Sequence, residues 1–316
     1  MKRGVCTGPC GVWKQPQRAL VWLQRAVIEK ANGPGPRDAG GKLIGPHHSS
    51  PDAMPQPRPL PAPGRQPPGW IRDLAGAWMF YSVLPRWPGI APRFERIARF
   101  APVVGLVLGG LQAWMWQLGR DHLPPLALVC LVLALGLGLS GGLHADGLMD
   151  TADGLAAGPR ALEAMDDSRV GAAAVQALVL VLLLRTAALL TLAPAAGWAL
   201  LWAAFWGRVA PLVAMAHFPY LRAEGTAGFH RRHWRGLGLE LLPAALGLVL
   251  LLAMAGLHGG LAGASAGLLG LLPAVLVPLV LGRRLGGHSG DTYGACVEWS
   301  ETGVLLLSAA AGLAAG

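Results

Sequence analysis

Three aspartates stand at intervals of four and three in the stretch His144-Ala145-Asp146-Gly147-Leu148-Met149-Asp150-Thr151-Ala152-Asp153-Gly154. On an α-helix those intervals stack Asp146, Asp150 and Asp153 on one face, within about 60° of each other. Like charges so placed repel and weaken a helix, and no lysine stands nearby to intersperse them. A hard divalent cation resolves the repulsion, because Mg2+ takes carboxylate oxygens together with the phosphate oxygens of a substrate. The spacing therefore predicts a helix with a metal-holding acidic face; a solvated acidic turn is the plain alternative. Gly147 and Gly154 suit a helix that a phosphate or another helix must approach closely.

Two further groups could serve the same chemistry. Met165-Asp166-Asp167-Ser168-Arg169-Val170-Gly171 sets two carboxylates beside an arginine, either as extra ligands with a phosphate clamp or as an acidic helix start. Gly286-Gly287-His288-Ser289-Gly290-Asp291-Thr292-Tyr293-Gly294 leads on to Glu298. Its glycines suit a loop that wraps an anion through backbone N–H groups, or a plain turn, and Asp291 and Glu298 share a face if the segment is helical. From Tyr220 to Arg235 run Arg222, Glu224, His230, Arg231, Arg232, His233 and Arg235. The arginines disfavour a metal at the two histidines, which leaves a basic loop or a phosphate-attracting rim. Arg185 and Arg208 stand inside apolar runs, where a charge is expensive. The cysteines at 6, 10, 130 and 296 show neither zinc spacing nor a disulfide framework.

The elements that must position these residues are hydrophobic. Of 316 residues 53% are apolar and only 14% charged, with 45 glycines, which excludes a disordered chain and a soluble globule. Six runs, roughly 100–118, 123–143, 170–192, 196–215, 237–257 and 260–281, are long enough to cross the bilayer; a seventh, 303–316, is short. Leu74 to Leu84 is shorter still and is expected at the surface. Small linkers alternate with long polar ones at 144–169, 216–236 and 282–302, so the long ones fall on one side. Twelve arginines lie on that side and only Arg120 opposite, which makes it cytoplasmic by the positive-inside rule.

Most of the net charge of +9 belongs to residues 1–68, with 10 Lys+Arg against 3 Asp+Glu and half of the 26 prolines. They read as a disordered basic extension, with a short amphipathic stretch near 17–28 and later start candidates at Met54 and Met79. Positive charge held in a tail gives no argument for nucleic acid. The fold class expected is all-α: a polytopic integral membrane helical bundle of six to seven transmembrane helices over residues 69–316, behind that extension.

Taken in order, Gly142-Leu143-His144 through Gly154, Asp167-Ser168-Arg169-Val170-Gly171 and Gly286 through Glu298 resemble the cobalamin-5'-phosphate synthase family, also called adenosylcobinamide-GDP ribazoletransferase. Arg99-Phe100-Ala101-Pro102-Val103-Val104-Gly105 and Phe80 to Pro85 add to the likeness, which runs from about residue 70 to the C-terminus. The resemblance implies a transferase that joins adenosylcobinamide-GDP to α-ribazole or its 5'-phosphate and releases GMP. It implies Mg2+ as cofactor, the bilayer as setting, and the inner face of the bacterial inner membrane.

On that reading Asp146, Asp150, Asp153 and Asp167 are the metal ligands. Asp153 also accepts the proton of the attacking hydroxyl, and Arg169 stabilises the phosphoryl oxygens. His144, Asp166, Arg222, Asp291 and Glu298 are substrate-binding candidates. Two other classes fit less well. A CDP-alcohol phosphotransferase expects an Ala-Arg pair after its first Asp-Gly, where Leu148-Met149 stand here. A transporter expects acids at midplane, whereas these crowd into linkers.

Overall fold

Backbone polar groups in hydrocarbon can be satisfied only within the chain, so long apolar runs become helices. The computed structural model describes residues 66–222 and 232–315, and its compact unit begins at Gly69. Among the described residues all regular structure is helical, apart from one isolated bridge between Tyr220 and His288. In chain order the α-helices are α1 (Gly69–Tyr81), α2 (Ala101–Gly119), α3 (Pro125–Leu139), α4 (Leu143–Ala157) and α5 (Ala161–Asp166). Then come α6 (Ala172–Leu192), α7 (Ala196–His217), α8 (Leu237–Leu268), α9 (Leu271–Leu285) and α10 (Gly290–Ala315). The amphipathic stretch near 17–28, Met54 and the cysteines at 6 and 10 lie outside the described residues, as do Glu224, His230 and Arg231.

Among the described residues four helical segments are long and apolar enough to cross a membrane: Ala98–Gly119, Ala172–Leu192, Ala196–His217 and Leu237–Leu257. A fifth is counted if Pro125–Leu139 and Leu143–Asp166, bent by 90°, are one broken span. Helix α7 is the hub. Apart from Arg208 and the terminal His217 it is apolar all round, 83% of its membrane window is buried, and α2, α9 and α10 pack against it. Helices α6 and α8 turn most of their windows outward, with Leu183, Leu246 and Leu257 exposed, as lipid-facing helices do.

Three boundaries differ from the sequence expectation. The run 123–143 does not pass straight through, because Gly141 and Gly142 take φ of +62° and +71° and turn the chain between α3 and α4. Glycine reaches that backbone region without steric cost. The runs 237–257 and 260–281 are not parted at 258–259, because α8 continues to Leu268 and the chain breaks at Leu269-Gly270. With no proline at 258–260, each N–H finds its partner inside the helix. The short run 303–316 is the later part of the 26-residue α10, which begins inside the expected polar linker.

Ion pairs fasten the segment between α1 and α2. Arg93 Nε lies 2.6 Å from the buried carboxylate of Asp73 in α1, and Arg99 lies 3.7 Å from the same group. Arg96 reaches 2.6 Å to Glu240 in the first turn of α8. The stretch expected at the surface is therefore docked, with Asp73 fully buried.

Candidate active site at the junction of three polar linkers

The site is built where α4 crosses the start of α10. A Cβ on Gly147 would stand 2.5 Å from the Asp291 carbonyl oxygen and 3.1 Å from the Gly294 Cα. One on Gly294 would stand 3.0 Å from the His144 carbonyl oxygen. Glycine at both positions lets the backbones touch and brings Asp146 beside Asp291. The glycine-rich segment, expected as a ligand-wrapping loop or a plain turn, is mostly helix: α10 starts at Gly290, Gly294 serves this crossing, and Gly287 packs against Pro219 and Leu221.

The turn before α10 is held from two sides. Leu221 N–H donates to the His288 carbonyl at 2.8 Å, and His288 N–H donates to the Pro219 carbonyl at 2.9 Å. His288 is fully buried, with Nε2 3.1 Å from the Pro278 carbonyl oxygen and Nδ1 3.0 Å from the Thr292 hydroxyl. A carbonyl only accepts, so Nε2 carries the proton. Burial pushes the imidazole down to about 4 and keeps it neutral.

Arg222, after α7, joins the three linkers. Its Nη1 lies 3.1 Å from Asp166 at the end of α5, and its Nη2 lies 2.8 Å from Asp291 in α10. Its Nε and Nη2 are buried and make no hydrogen bond to a described residue, so the contact of Nη2 with Asp291 is an ion pair alone. Burial holds the Asp291 carboxyl above the usual carboxylate range. Arg222 and the Ser289 hydroxyl oppose that rise, while the carboxylates of Asp146 and Asp166 add to it. Removal from water is the larger cause, since it disfavours the charged form.

The other expected site residues divide. Asp150 follows Asp146 by one turn of α4, on the same face. Asp153 accepts from Gly171 N–H at 2.7 Å and Ala174 N–H at 2.9 Å, so both of its oxygens cap the start of α6. Asp167 pairs with Arg169 at 2.6 Å, and that guanidinium is 87% exposed. Burial on every side takes His144 inside, where its ring stacks on Tyr81 with centroids 6.4 Å apart.

Glu298 shares a face of α10 with Asp291, as the spacing predicts for a helix, yet it lies two turns deeper. It pairs with Arg185 of α6 at 2.8 Å. Arg185 also reaches Glu301 at 3.1 Å and donates to the Thr302 hydroxyl at 2.9 Å, and Glu301 pairs with Arg208 of α7. The sequence reading singled out both arginines but missed Glu301. The signal was present, since two arginines inside apolar spans need two acids, and Glu301 follows Glu298 by three residues.

Among the described residues no group of three or more His, Cys, Asp or Glu side chains forms a ready-made metal cage. The donor set still suits a hard cation. Asp146, Asp150, Asp166 and Asp291 are all oxygen donors, the kind Mg2+ prefers.

A family model described as Cobalamin-5-phosphate synthase matches residues 73–309. A protein of Prochlorococcus marinus (strain MIT 9303) named adenosylcobinamide-GDP ribazoletransferase is 61% identical over 252 residues, covering 77% of this chain and 96% of the relative. A second from the same species (strain SARG) bears the same name and is 44% identical, covering 76% and 96%. One from Synechococcus elongatus, again of that name, is 42% identical over 72% of this chain and 92% of its own length. No solved structure matches the chain at a significant level.

Proposed function

The chain belongs to the cobalamin-5-phosphate synthase family, and we propose that it transfers the adenosylcobinamide-phosphate group from adenosylcobinamide-GDP to α-ribazole or its 5'-phosphate, releasing GMP. The observation that carries this reading to particular residues is Arg222. Its two ion pairs gather the three motif-bearing linkers at one end of the bundle. A diphosphate needs such a place, with cationic donors, oxygen ligands for Mg2+ and backbone close at hand.

Asp146, Asp150 and Asp291, with Asp166 at the rim, would hold Mg2+. When bound, the ion would neutralise charge on the oxygens of an in-line displacement. Arg222 and the exposed Arg169 would bind phosphoryl oxygens and orient the diphosphate. The ribazole hydroxyl attacks the cobinamide-side phosphorus, the bond to the GMP oxygen breaks, and GMP leaves. The hydroxyl proton passes to a carboxylate oxygen of Asp146 or Asp150. We prefer these to Asp153, whose oxygens are engaged by two N–H donors. His144 and Glu298, inside the bundle, would support this site from beneath.

The setting we propose is the bacterial inner membrane, crossed six or seven times, with the arginine-rich linker side in the cytoplasm and residues 1–68 as a disordered extension. Grouping of the three long linkers at one end supports that orientation. The test is GMP release by purified protein in lipid, given adenosylcobinamide-GDP, α-ribazole and Mg2+, with and without chelator. Chelator-sensitive GMP with a cobalamin product is the expected result. Folded protein that releases no GMP overturns the reading.

A further inference from the structure

The segment that leads from α1 into α2 carries arginines at 93, 96 and 99, and two buried carboxylates face them, Asp73 and Glu240. Both acids are engaged by other donors than Arg99. Asp73 accepts from Arg93 Nε at 2.6 Å and from its Nη2 at 2.8 Å, one bond to each oxygen. Glu240 accepts from Arg96 Nε and Nη2 at 3.0 and 2.6 Å, and from the Arg235 N–H at 3.2 Å. Glu95, the one acid on the segment itself, pairs with Arg93 at the surface. Arg99 is left over. Its one ion pair among the described residues is a 3.7 Å contact with Asp73, too long for a hydrogen bond, and its guanidinium lies over the Phe100 ring at 4.6 Å. Its Nε is buried and makes no hydrogen bond to a described residue. A guanidinium has five N–H donors, and a buried one so poorly matched points to an acceptor that the chain does not supply.

That acceptor is an anion, because Arg93 and Arg96 stand close enough to Arg99 to repel any cation there. The Arg99 side chain keeps 14% of its surface open, so a ligand can reach it. Its level in the bundle says which anions it meets. Arg99 lies at the start of the apolar segment Ala98–Gly119. Beside it, α1 has 13 residues, too few to cross, and the stretch that runs on from it leaves Trp70 and Val83 exposed and Trp78 against Trp87 at 5.8 Å. Tryptophans collect at the headgroup level of a bilayer, where lipid phosphates lie. We propose that Arg99 anchors a phosphate-binding site between α1 and the start of α2, holding phosphate oxygens with the donors that no carboxylate takes. A lipid headgroup and a soluble phosphate compound offer it the same chemistry, and depth favours the lipid. The site gives Arg99 a role that the proposed reaction does not, and it does not rest on that reaction.

The test takes the purified full chain in dodecyl maltoside, stripped of lipid and phosphate, and titrates phosphatidylglycerol and inorganic phosphate in separate arms. Native mass spectrometry and thermal melting follow the binding. Phosphatidylglycerol should stay bound to the wild type and raise its melting temperature. Arg99→Gln should weaken that binding at least about tenfold, as for lost charge-assisted hydrogen bonds. Arg283→Gln, at an exposed arginine of α9, should leave it unchanged. If Arg99→Gln does not fold, Arg99→Lys decides: it keeps the charge beside Asp73 without the planar fork and should bind several-fold more weakly. Inorganic phosphate that binds through Arg99 where the lipid does not keeps the site and makes its ligand a soluble phosphate. Binding of neither ligand by the wild type, or equal binding by the Arg99 variants, overturns the proposal, whatever the outcome for GMP release.

Discussion

Helix α10 carries acids in two different situations. Glu298 and Glu301 meet Arg185 and Arg208 inside the bundle, two negative charges against two positive, with side chains only 6–15% exposed. Asp291, about 10 Å earlier along the same helix, shares Arg222 with Asp166, whose side chain is open to water. Residue types are alike in both places; exposure is not. A balanced, sealed cluster has no use for a ligand, because every charge already has its partner. An open one, where water reaches the carboxylates, is where a ligand from solution can bind.

The comparison breaks first at the sealed cluster. Glu301→Gln should cost about 3–5 kcal/mol of stability, because it strands a buried guanidinium, whereas the double change Arg208→Met with Glu301→Met should restore most of it. Thermal melting of both proteins in one detergent measures this. A single variant as stable as the wild type would mean the cluster is wet and belongs with the open site.

At the open site the loss should be in rate. Asp150→Asn is expected to melt like the wild type yet lose turnover by about a hundredfold to a thousandfold, roughly 3–4 kcal/mol, at saturating Mg2+. GMP release measures it, and near wild-type activity removes Asp150 from the machinery.

Just before the open site in the chain lies the turn held by His288. Its imidazole sits near 4 in the folded protein against an ordinary 6.5, so it contributes stability above pH 6.5 that is lost as pH falls toward 4. The loss amounts to about 3 kcal/mol. Melting against pH should show this slope in the wild type and a flatter one in His288→Gln.

The smallest effect is expected at Asp153. Asp153→Ala should cost about 1–2 kcal/mol, as for a lost helix cap, and speed hydrogen exchange at the Gly171 and Ala174 amides. Unchanged Mn2+ binding in that variant would place Asp153 with the structural acids, and weakened binding would return it to the site.

What the sequence made legible was local. The spacing of Asp146, Asp150 and Asp153 is helical because neighbours on one face are set by chain geometry alone, and α4 is a helix. The same reasoning put Asp291 and Glu298 on one face. It could not separate their fates, because those depend on Arg222 and Arg185, 69 and 113 residues away in the chain. Asp153 became a cap for the same reason, since its donors stand 18 and 21 residues further on. Span boundaries were misplaced where glycine decides them. His258-Gly259-Gly260 continues a helix and Gly141-Gly142 turns one, and only the surrounding packing tells the two apart.

The sealed cluster also has a consequence in time. Arg185 and Arg208 leave the ribosome about a hundred residues before Glu298 and Glu301. Each arginine at the centre of a span costs about 2.5–3.5 kcal/mol to insert. Helices α6 and α7 therefore enter the membrane as creditors, their charges unanswered until α10 arrives and docks. Assembly of this bundle is completed late, by the helix that also brings Asp291 to Asp146.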